Sequence, residues 1–144
     1  MRRVQKGQSI VEFALILPLF LLLVFGICQF GFAFSDYLAL SNVARNSARE
    51  ASIGTDPSDI YYAVAENNPV PMNIYHWDPL DTNDFYIEIP ENLEKNHDLV
   101  VHIHAEIEKE SSLVYVFCKL AGVDSSLFDI DTEYHMYYEP KQKT

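Results

Sequence analysis

Three histidines in the second half of the chain are the residues best suited to bind a metal ion. His102 and His104 stand two positions apart in the alternating segment VVHIHAEI, and His135 lies in a later segment of the same kind. If both segments are β-strands, the three imidazoles can share one sheet face. Nearby carboxylates that could lie on that face are Glu106, Asp129, Asp131 and Glu133. A solvated polar face is nevertheless the favoured interpretation, because the spacing matches no established metal motif.

Motifs of the common catalytic and nucleotide-binding sites are missing from the sequence. It contains no HExxH, CxxC or GxSxG pattern, and its five glycines stand too far apart to build a phosphate-binding loop. The chain has 21 acidic residues, but no pair of carboxylates is marked as catalytic. We therefore expect that the protein is not an enzyme and that it uses no cofactor.

Glu12 is the carboxylate whose position is least expected. It lies two residues into the apolar run IVEFALILPLFLLLVFGICQF, where an ionised side chain is disfavoured. One interpretation is that Glu12 reaches back to the cytoplasmic lipid headgroups. The other is that a specific partner compensates its charge.

The apolar run is long enough to cross a membrane. Residues 13–35 are 23 positions without a charge, and as a helix they would span about 34 Å, against about 30 Å for a hydrocarbon core. Arg2, Arg3 and Lys6 precede the run, whereas residues 36–144 carry 7 basic and 20 acidic side chains. This bias predicts a cytoplasmic N-terminus and an exterior C-terminal domain.

Length and charge fit this division of the chain. The 144 residues allow one membrane helix and one domain of about 100 residues. The formal net charge of −11 argues against nucleic acid as a partner, because its phosphates would be repelled. We expect a basic leader at 1–7, a transmembrane helix at 8–35 and an exterior domain at 36–144.

The N-terminal residues resemble a known group of membrane proteins. A basic leader, Gly7, a carboxylate at the fifth position after that glycine and an unbroken apolar helix are similar to the class III signal of type IV pilin-like proteins. The run QSIVEFALILPLFLLLVFGICQFG, followed by DYLALSNVARNSAREAS, resembles the TadE-like family of pilin-like subunits in tight-adherence (Tad) pilus systems. The resemblance covers residues 6–52. Farther along, it rests on LVVHIHAEI, on SLVYVFCKLAG and on a last alternating strand that ends near Glu139.

The resemblance implies roles for two positions at the start of the apolar run. Gly7 would be the last leader residue, cut on the cytoplasmic side by a prepilin peptidase, which leaves Gln8 as the new N-terminus. Glu12 would then be the fifth mature residue, which in pilin-like families pairs with the N-terminal ammonium of a neighbouring subunit. Such a pairing makes two charges tolerable in lipid. Many pilins begin with an aromatic or aliphatic residue instead of Gln8, so the N-terminal methylation usual in such systems is not inferred.

The resemblance also implies a function. The chain would be a minor pilin or pseudopilin that takes part in the assembly of a Tad-type pilus. Its partners would be the prepilin peptidase, other pilin-like subunits, the pilus assembly platform and membrane lipid. The alternative is an exported or single-pass anchored binding protein with no pilus role.

Other kinds of N-terminal signal compete with this interpretation. A secretory signal peptide could be cut near Gly31-Phe32-Ala33, but the apolar run exceeds the usual length and Glu12 is atypical there. A lipoprotein signal is set aside because Ile27, which is not small, precedes Cys28. An unprocessed single-pass anchor stays open.

The helical pattern continues beyond the apolar run. We predict one helix from near Ser9 to Ile53, about 65 to 70 Å long, with a kink or looser turn at Pro18 and a C-cap at Gly54. Its exterior half is amphipathic. The apolar stripe would pack on a sheet or, less favourably, form a seam for another subunit's helix; it comprises Tyr37, Leu40, Ala44, Ala48 and Ala51.

The remaining sequence predicts an α+β domain. A short helix runs from Pro57 to about Glu66 with Asp56 as its N-cap, and a proline-rich loop follows from Asn67 to Asp84. Alternation predicts three strands, which begin near Phe85, Val101 and Phe128. Residues 113–120 are a short helix or a bent strand. The expected architecture is pilin-like, with the long N-terminal helix packed on a small three-stranded antiparallel sheet.

Two smaller features complete the predictions. The loop carries Tyr75, His76 and Trp77, for which closure of the core is favoured over contact with a partner. Cys28 lies in the span and Cys118 far outside it, so no disulfide between them is expected. Cys118 is expected to be a buried free thiol rather than an intermolecular cross-link.

Overall fold

The computed structural model describes residues 4–67, 69–90, 97–109 and 112–138. It divides the chain into two compact units, Met1–Phe32 and Ala33–Thr144. The described elements confirm the α+β class. In order they are α1 (Val4–Ser52), α2 (Pro57–Asn67), β1 (Tyr75–His76), β2 (Phe85–Glu88), β3 (Asp98–Ile107), α3 (Leu113–Ala121), a 3₁₀ helix (Ser125–Phe128) and β4 (Ile130–Tyr137).

Helix α1 is unbroken over 49 residues. It begins at Val4, earlier than the predicted start near Ser9, because the leader contains no proline and the single Gly7 does not interrupt the helix. Pro18 lies inside α1 without ending it. Since proline has no N–H, one hydrogen bond of the helix is missing there, and the predicted kink stays a prediction.

Glycine ends α1 as predicted. Gly54 has a φ of +89°, which places it in the left-handed region where a side chain is strained. Its N–H donates to the Ala51 carbonyl at 3.0 Å, and the Thr55 N–H donates to the Glu50 carbonyl at 3.2 Å. These bonds satisfy carbonyl groups that the helix end would otherwise leave unpaired.

The second half of α1 belongs to the core of the unit Ala33–Thr144. Leu40, Ala44, Ala48 and Ala51 are completely buried or nearly so, and they form one hydrophobic cluster with the buried faces of the strands. Small side chains allow a helix to lie close to a sheet. The predicted packing on the sheet is therefore confirmed for these four residues, whereas Tyr37 is 42 % exposed.

Within the described residues, the sheet has four strands rather than the predicted three. Strand β3 is central, and β1, β2 and β4 all pair with it antiparallel. The additional strand, β1, lies within the predicted loop from Asn67 to Asp84. Its two residues, Tyr75 and His76, are too few to show alternation, and they become a strand only by pairing with Ile107 and Glu106.

The three predicted strands show the expected alternation. Phe85 and Ile87 of β2 are buried, and so are the odd-numbered residues of β3 from Leu99 to Ile107. The last strand begins at Ile130 and not at Phe128. The reason is the preceding 3₁₀ helix, whose N-cap Asp124 accepts a hydrogen bond from the Ser126 N–H at 3.1 Å. Phe128 consequently lies outside the core.

The two short helices have well-defined ends. The predicted cap of α2 is confirmed, since Asp56 Oδ1 accepts from the Ser58 N–H at 2.9 Å and from the Ser58 hydroxyl at 2.6 Å. The hydroxyl bond is the main cause that lowers the pKa of Asp56. Residues 113–121 are helical, which decides between the two predictions for this segment. Cys118 of α3 is a buried free thiol, as expected.

The aromatic trio divides between the core and the surface. Tyr75 and Trp77 pack against the core cluster, and the Trp77 indole N–H donates to the Asp84 carbonyl at 3.0 Å. The ring centroids of Trp77 and Phe85 are 5.6 Å apart. His76 is exposed, with Nδ1 3.7 Å from a Glu108 carboxylate oxygen. The core interpretation is confirmed for Tyr75 and Trp77 and is wrong for His76.

Asp36 is a fully buried carboxylate in α1. Its Oδ1 accepts from the Met72 N–H at 2.9 Å, and its Oδ2 accepts from the Ile74 N–H at 3.0 Å. These bonds hold the segment before β1 against the helix, some 36 residues away in sequence. Burial raises the pKa of the adjacent Tyr75, and the Asp36 and Asp129 carboxylates add to this effect.

We predict that Asp36→Asn destabilises the folded domain. An amide can accept only one of the two backbone N–H bonds and turns its own N–H₂ group toward the other donor. Loss of a bond to a buried charged group costs about 1.5 to 3 kcal/mol, so Asp36→Ala should cost about 3 kcal/mol or more. Chemical unfolding of the detergent-solubilised chain measures both changes.

The matched control is Asp59→Asn, at an exposed aspartate in the first turn of α2. It should change the free energy of unfolding by less than about 1 kcal/mol. An Asp36→Asn variant as stable as the Asp59→Asn variant would contradict the structural role of Asp36.

Candidate functional site

The residues implicated by the N-terminal pattern lie close together on α1. Gly7 is within the helix, and Gln8 and Glu12 are one turn apart on the same side of it. The side-chain amide of Gln8 donates a hydrogen bond from Nε2 to Glu12 Oε1 at 3.2 Å. The predicted N-terminal residue and the predicted fifth mature residue are thus in direct contact within one chain.

The surroundings of Glu12 are apolar. Ile10, Val11 and Phe13 are 64 to 69 % exposed, and the large apolar residues that follow along the helix are exposed as well. The Gln8 amide is neutral, so its hydrogen bond orients the Glu12 carboxylate but does not compensate the charge. The arrangement can therefore accept a cationic group at Glu12.

The helix that carries Glu12 meets the requirements of a membrane span. Residues Gln8–Ser52 contain a strongly apolar stretch that is long enough to cross a membrane, and none of this stretch is buried in the structure. Large apolar side chains surround the helix on all sides, as expected for a helix in lipid. Within the described residues, this is one helix near the N-terminus that could cross a membrane.

The second group of candidate residues lies on the exposed face of the sheet. Strand register places His102 opposite Glu133 and His104 opposite Asp131. His104 Nδ1 lies 2.6 Å from Asp131 Oδ1, and His102 Nδ1 lies 3.3 Å from Glu133 Oε1. The sequence prediction that these side chains share one face is confirmed.

The third histidine does not join the first two at a common point. His135 is opposite Val100, and its Nε2 approaches Glu133 at 3.8 Å. Among residues 4–67, 69–90, 97–109 and 112–138, no three His, Cys, Asp or Glu side chains are grouped so as to hold a metal ion. His102 and His104 form cross-strand pairs with carboxylates, which stabilise a sheet surface, whereas His135 and Glu133 lie on the same strand.

Asp129 is absent from this exposed face, contrary to the expectation. Its Oδ1 accepts a hydrogen bond from the Ile107 N–H at 3.0 Å, at the end of β3. Because residue 129 comes before β4 begins, its side chain pairs with the backbone instead of extending the alternation of the strand.

Sequence analysis missed the structural role of Asp36. Its position directly after an uncharged run is typical of an ordinary charged residue at the lipid interface. The structure buries it completely against backbone N–H groups of a distant segment. No local pattern identifies those partners, because they lie in a loop without periodicity.

We predict a pH-dependent contribution from the His104–Asp131 pair. The hydrogen bond to Asp131 raises the pKa of His104 above its ordinary value of 6.5; partial burial opposes this, and the charges of Asp131, Asp129 and Asp84 add to it. Because the pKa of His104 is higher in the folded than in the unfolded chain, protonation of His104 stabilises the fold. This stabilisation is complete below pH 6.5 and is lost as the pH rises through the raised pKa.

NMR titration of the histidine rings measures this effect. In the Asp131→Asn variant the pKa of His104 should fall toward 6.5, and the gain in thermal stability on acidification should become smaller than in the unchanged protein. Equal titration of His104 in both proteins would show that the pair is not formed in solution.

Comparison with known proteins supports the N-terminal pattern. Residues 7–49 match the model of a protein family described as TadE-like protein. No match to this chain is found among curated proteins or solved structures. The matched range begins at Gly7 and includes Gln8, Glu12, Pro18 and Asp36. The resemblance seen in the N-terminal residues is thereby confirmed, and residues 7–49 form a TadE-like segment.

Proposed function

We propose that this chain is a membrane-anchored, pilin-like subunit of a Tad-type pilus system, a minor pilin or pseudopilin that takes part in pilus assembly. The observation that carries the proposal is Glu12, an acidic residue on an otherwise apolar exposed helix, five positions after Gly7 and within the TadE-like segment. In a plain anchor this carboxylate would only reach back to the lipid headgroups and would have no specific partner.

Processing at Gly7 follows from the same proposal. A prepilin peptidase cuts after Gly7 and creates an ammonium group at Gln8. The new charge of one subunit then pairs with the Glu12 carboxylate of another, and neither charge faces lipid alone. The Gln8 amide already contacts Glu12 within the chain, so it competes for or helps to orient the same carboxylate.

The proposed topology places residues 1–7 in the cytoplasm and the acidic domain outside. The basic residues of the leader support this orientation through the positive-inside bias. The apolar half of α1 stores the subunit in the membrane and gives it a helix to pack among the helices of other subunits. The proposed partners are the prepilin peptidase, other pilin-like subunits, the assembly platform and lipid.

The first test is the mass of the N-terminal peptide of membrane-extracted protein, expressed with and without a cognate prepilin peptidase. We expect a start at Gln8 when the peptidase is present and at Met1 when it is absent. Gly7→Asp should abolish this conversion, because a side chain at the residue before the cut obstructs the peptidase site. Gln5→Asp is the matched control, with the same added charge away from the cut.

The outcomes separate the competing kinds of signal. A start at Met1 under both conditions would leave a single-pass anchor and contradict processing. A start near Phe34 would indicate a secreted domain and contradict the assembly function.

The second test concerns the charge of Glu12. Glu12→Ala and Glu12→Gln should leave membrane insertion intact but weaken association with another pilin-like subunit. Breaking a buried ion pair costs about 3 kcal/mol or more, which corresponds to about a hundredfold loss of affinity. Cross-linking or co-purification from membranes measures this association.

Glu12→Asp, which keeps the charge, is the control for the second test. It should retain most of the association, although its shorter side chain reaches less far. Normal assembly by the Glu12→Gln variant would show that the charge is not used for pairing.

A further inference from the structure

The outer face of α3 and the following 3₁₀ helix is apolar. Leu120 is 86 % exposed, Leu127 74 % and Phe117 58 %. Leu113, Val116 and Phe128 are also about half exposed, and we call these six residues the α3 surface. Cys118 faces the core, so α3 turns most of its large apolar side chains away from it. Exposed patches of this kind mark an interaction site.

The α3 surface carries almost none of the negative charge of the domain. Residues Leu113–Ala121 contain one charged side chain, Lys119, in the last turn. The 3₁₀ helix contains none, although Asp124 caps it. By contrast, residues 36–144 include 20 acidic and 7 basic side chains. An uncharged apolar face with a lysine at its edge suits a lipid interface, where burial of acidic groups would be costly.

Backbone hydrogen bonds connect the start of α3 to Asp36. The Ile74 N–H donates to Asp36, and the Ile74 carbonyl accepts from the Glu108 N–H at 2.9 Å. The Ser112 N–H then donates to the Glu108 carbonyl at 3.3 Å, directly before α3. The chain of contacts from Asp36 to α3 is therefore short.

The end of the 3₁₀ helix is likewise connected to the part of the domain around Asp36. Asp129, which follows Phe128, accepts from the Ile107 N–H at 3.0 Å. Ile107 is paired with Tyr75 of β1, next to Ile74. Both ends of the segment that carries the α3 surface are thus attached to the end of the domain at which Asp36 is buried.

Chain connectivity places the lipid boundary near this end. The uncharged run stops at Ser35, directly before Asp36. In a membrane-inserted chain, the part of the domain around Asp36 must therefore lie within a few residues of the headgroups.

We propose that the α3 surface docks on the membrane interface, with its apolar side chains among the lipid headgroups and upper acyl chains. The inference rests on the membrane anchoring in the proposed function and adds a second lipid contact to it. An amphipathic helix buries its apolar face in this manner without spanning the bilayer. The acidic domain is then held against the membrane at one end and not only tethered through α1.

The test uses the full chain in liposomes of neutral and anionic lipid, with one fluorescent label per molecule. The label is attached at Leu120→Cys or at Ile53→Cys, each in a Cys28→Ser, Cys118→Ala background. Ile53 is the matched control, because it is also apolar and exposed but lies 17 positions beyond Asp36, about 26 Å along a helix. Native Cys28, labelled in a Cys118→Ala chain, reports the membrane span itself.

We expect lipid-attached spin labels to quench residue 120 nearly as strongly as Cys28 and to leave residue 53 unquenched. Quenching at residue 120 should not change when the protein is diluted in lipid. In a chain labelled at Leu127→Cys, the change Phe117→Asp should reduce the quenching, because a charge is drawn out of the interface. Phe117 is exposed, so this variant should keep the thermal stability of its parent.

Three results would overturn the inference. Quenching of residue 120 by aqueous iodide, as at residue 53, would show that the surface faces water. Protection of residue 120 only at high protein density would show that another protein chain covers it. A Cys28 label that lipid-attached spin labels do not quench would show that the chain is not anchored in the membrane. The Cys28 measurement thus distinguishes a failure of the proposed function from a failure of this inference.

Discussion

The unit Ala33–Thr144 depends on the burial of the alanine stripe of α1 against the sheet. Ala44, Ala48 and Ala51 have no bulk to hold the sheet away, and Leu40 fills the space at one end of the stripe. Without a cover, the apolar face of the sheet would be exposed to water, which is unfavourable. The second half of α1 supplies the surface that covers this face, so the helix that begins with the apolar run also completes the core.

This dual use gives α1 two kinds of surface. Its first half is apolar on all sides and exposed, as a helix in lipid requires, whereas its second half is buried along one stripe only. Glu12 and Asp36 lie near the two ends of the apolar run, and their carboxylates have different hydrogen-bond partners. Glu12 has a neutral amide on its own helix as a partner. Asp36 is surrounded by protein and is bound by two backbone N–H groups.

The two faces of the sheet differ in their residues and contacts. The inner face contributes Phe85, Val101 and Ile103 to the core, and the outer face carries histidine–carboxylate pairs across neighbouring strands. The paired atoms lie 2.6 to 3.7 Å apart, and each histidine that is protonated offsets part of the negative charge of the acidic domain. The α3 surface differs from both faces, because it is apolar, exposed and nearly uncharged.

Local patterns were sufficient for much of the fold and of the N-terminal site. The uncharged run, the stripe of alanines and the alternation in β2, β3 and β4 specify helix and strand directly, because side chains repeat with the period of the element. Gly54 and Asp56 mark helix ends for equally local reasons. Glu12 could be identified from the order of residues alone, because it is the fifth residue after Gly7.

Tertiary structure alone decided what depends on distant pairing. Strand β1 exists because Tyr75 meets Ile107, and Asp36 is buried because Met72 and Ile74 bring their N–H groups to it. Which side chains of α3 are buried likewise depends on the position that α3 takes after the end of β3. The sequence contains the residues for these contacts but no local periodicity that specifies them. The contacts of Tyr75 and of Asp36 join residues more than 30 positions apart and form only when the whole unit folds.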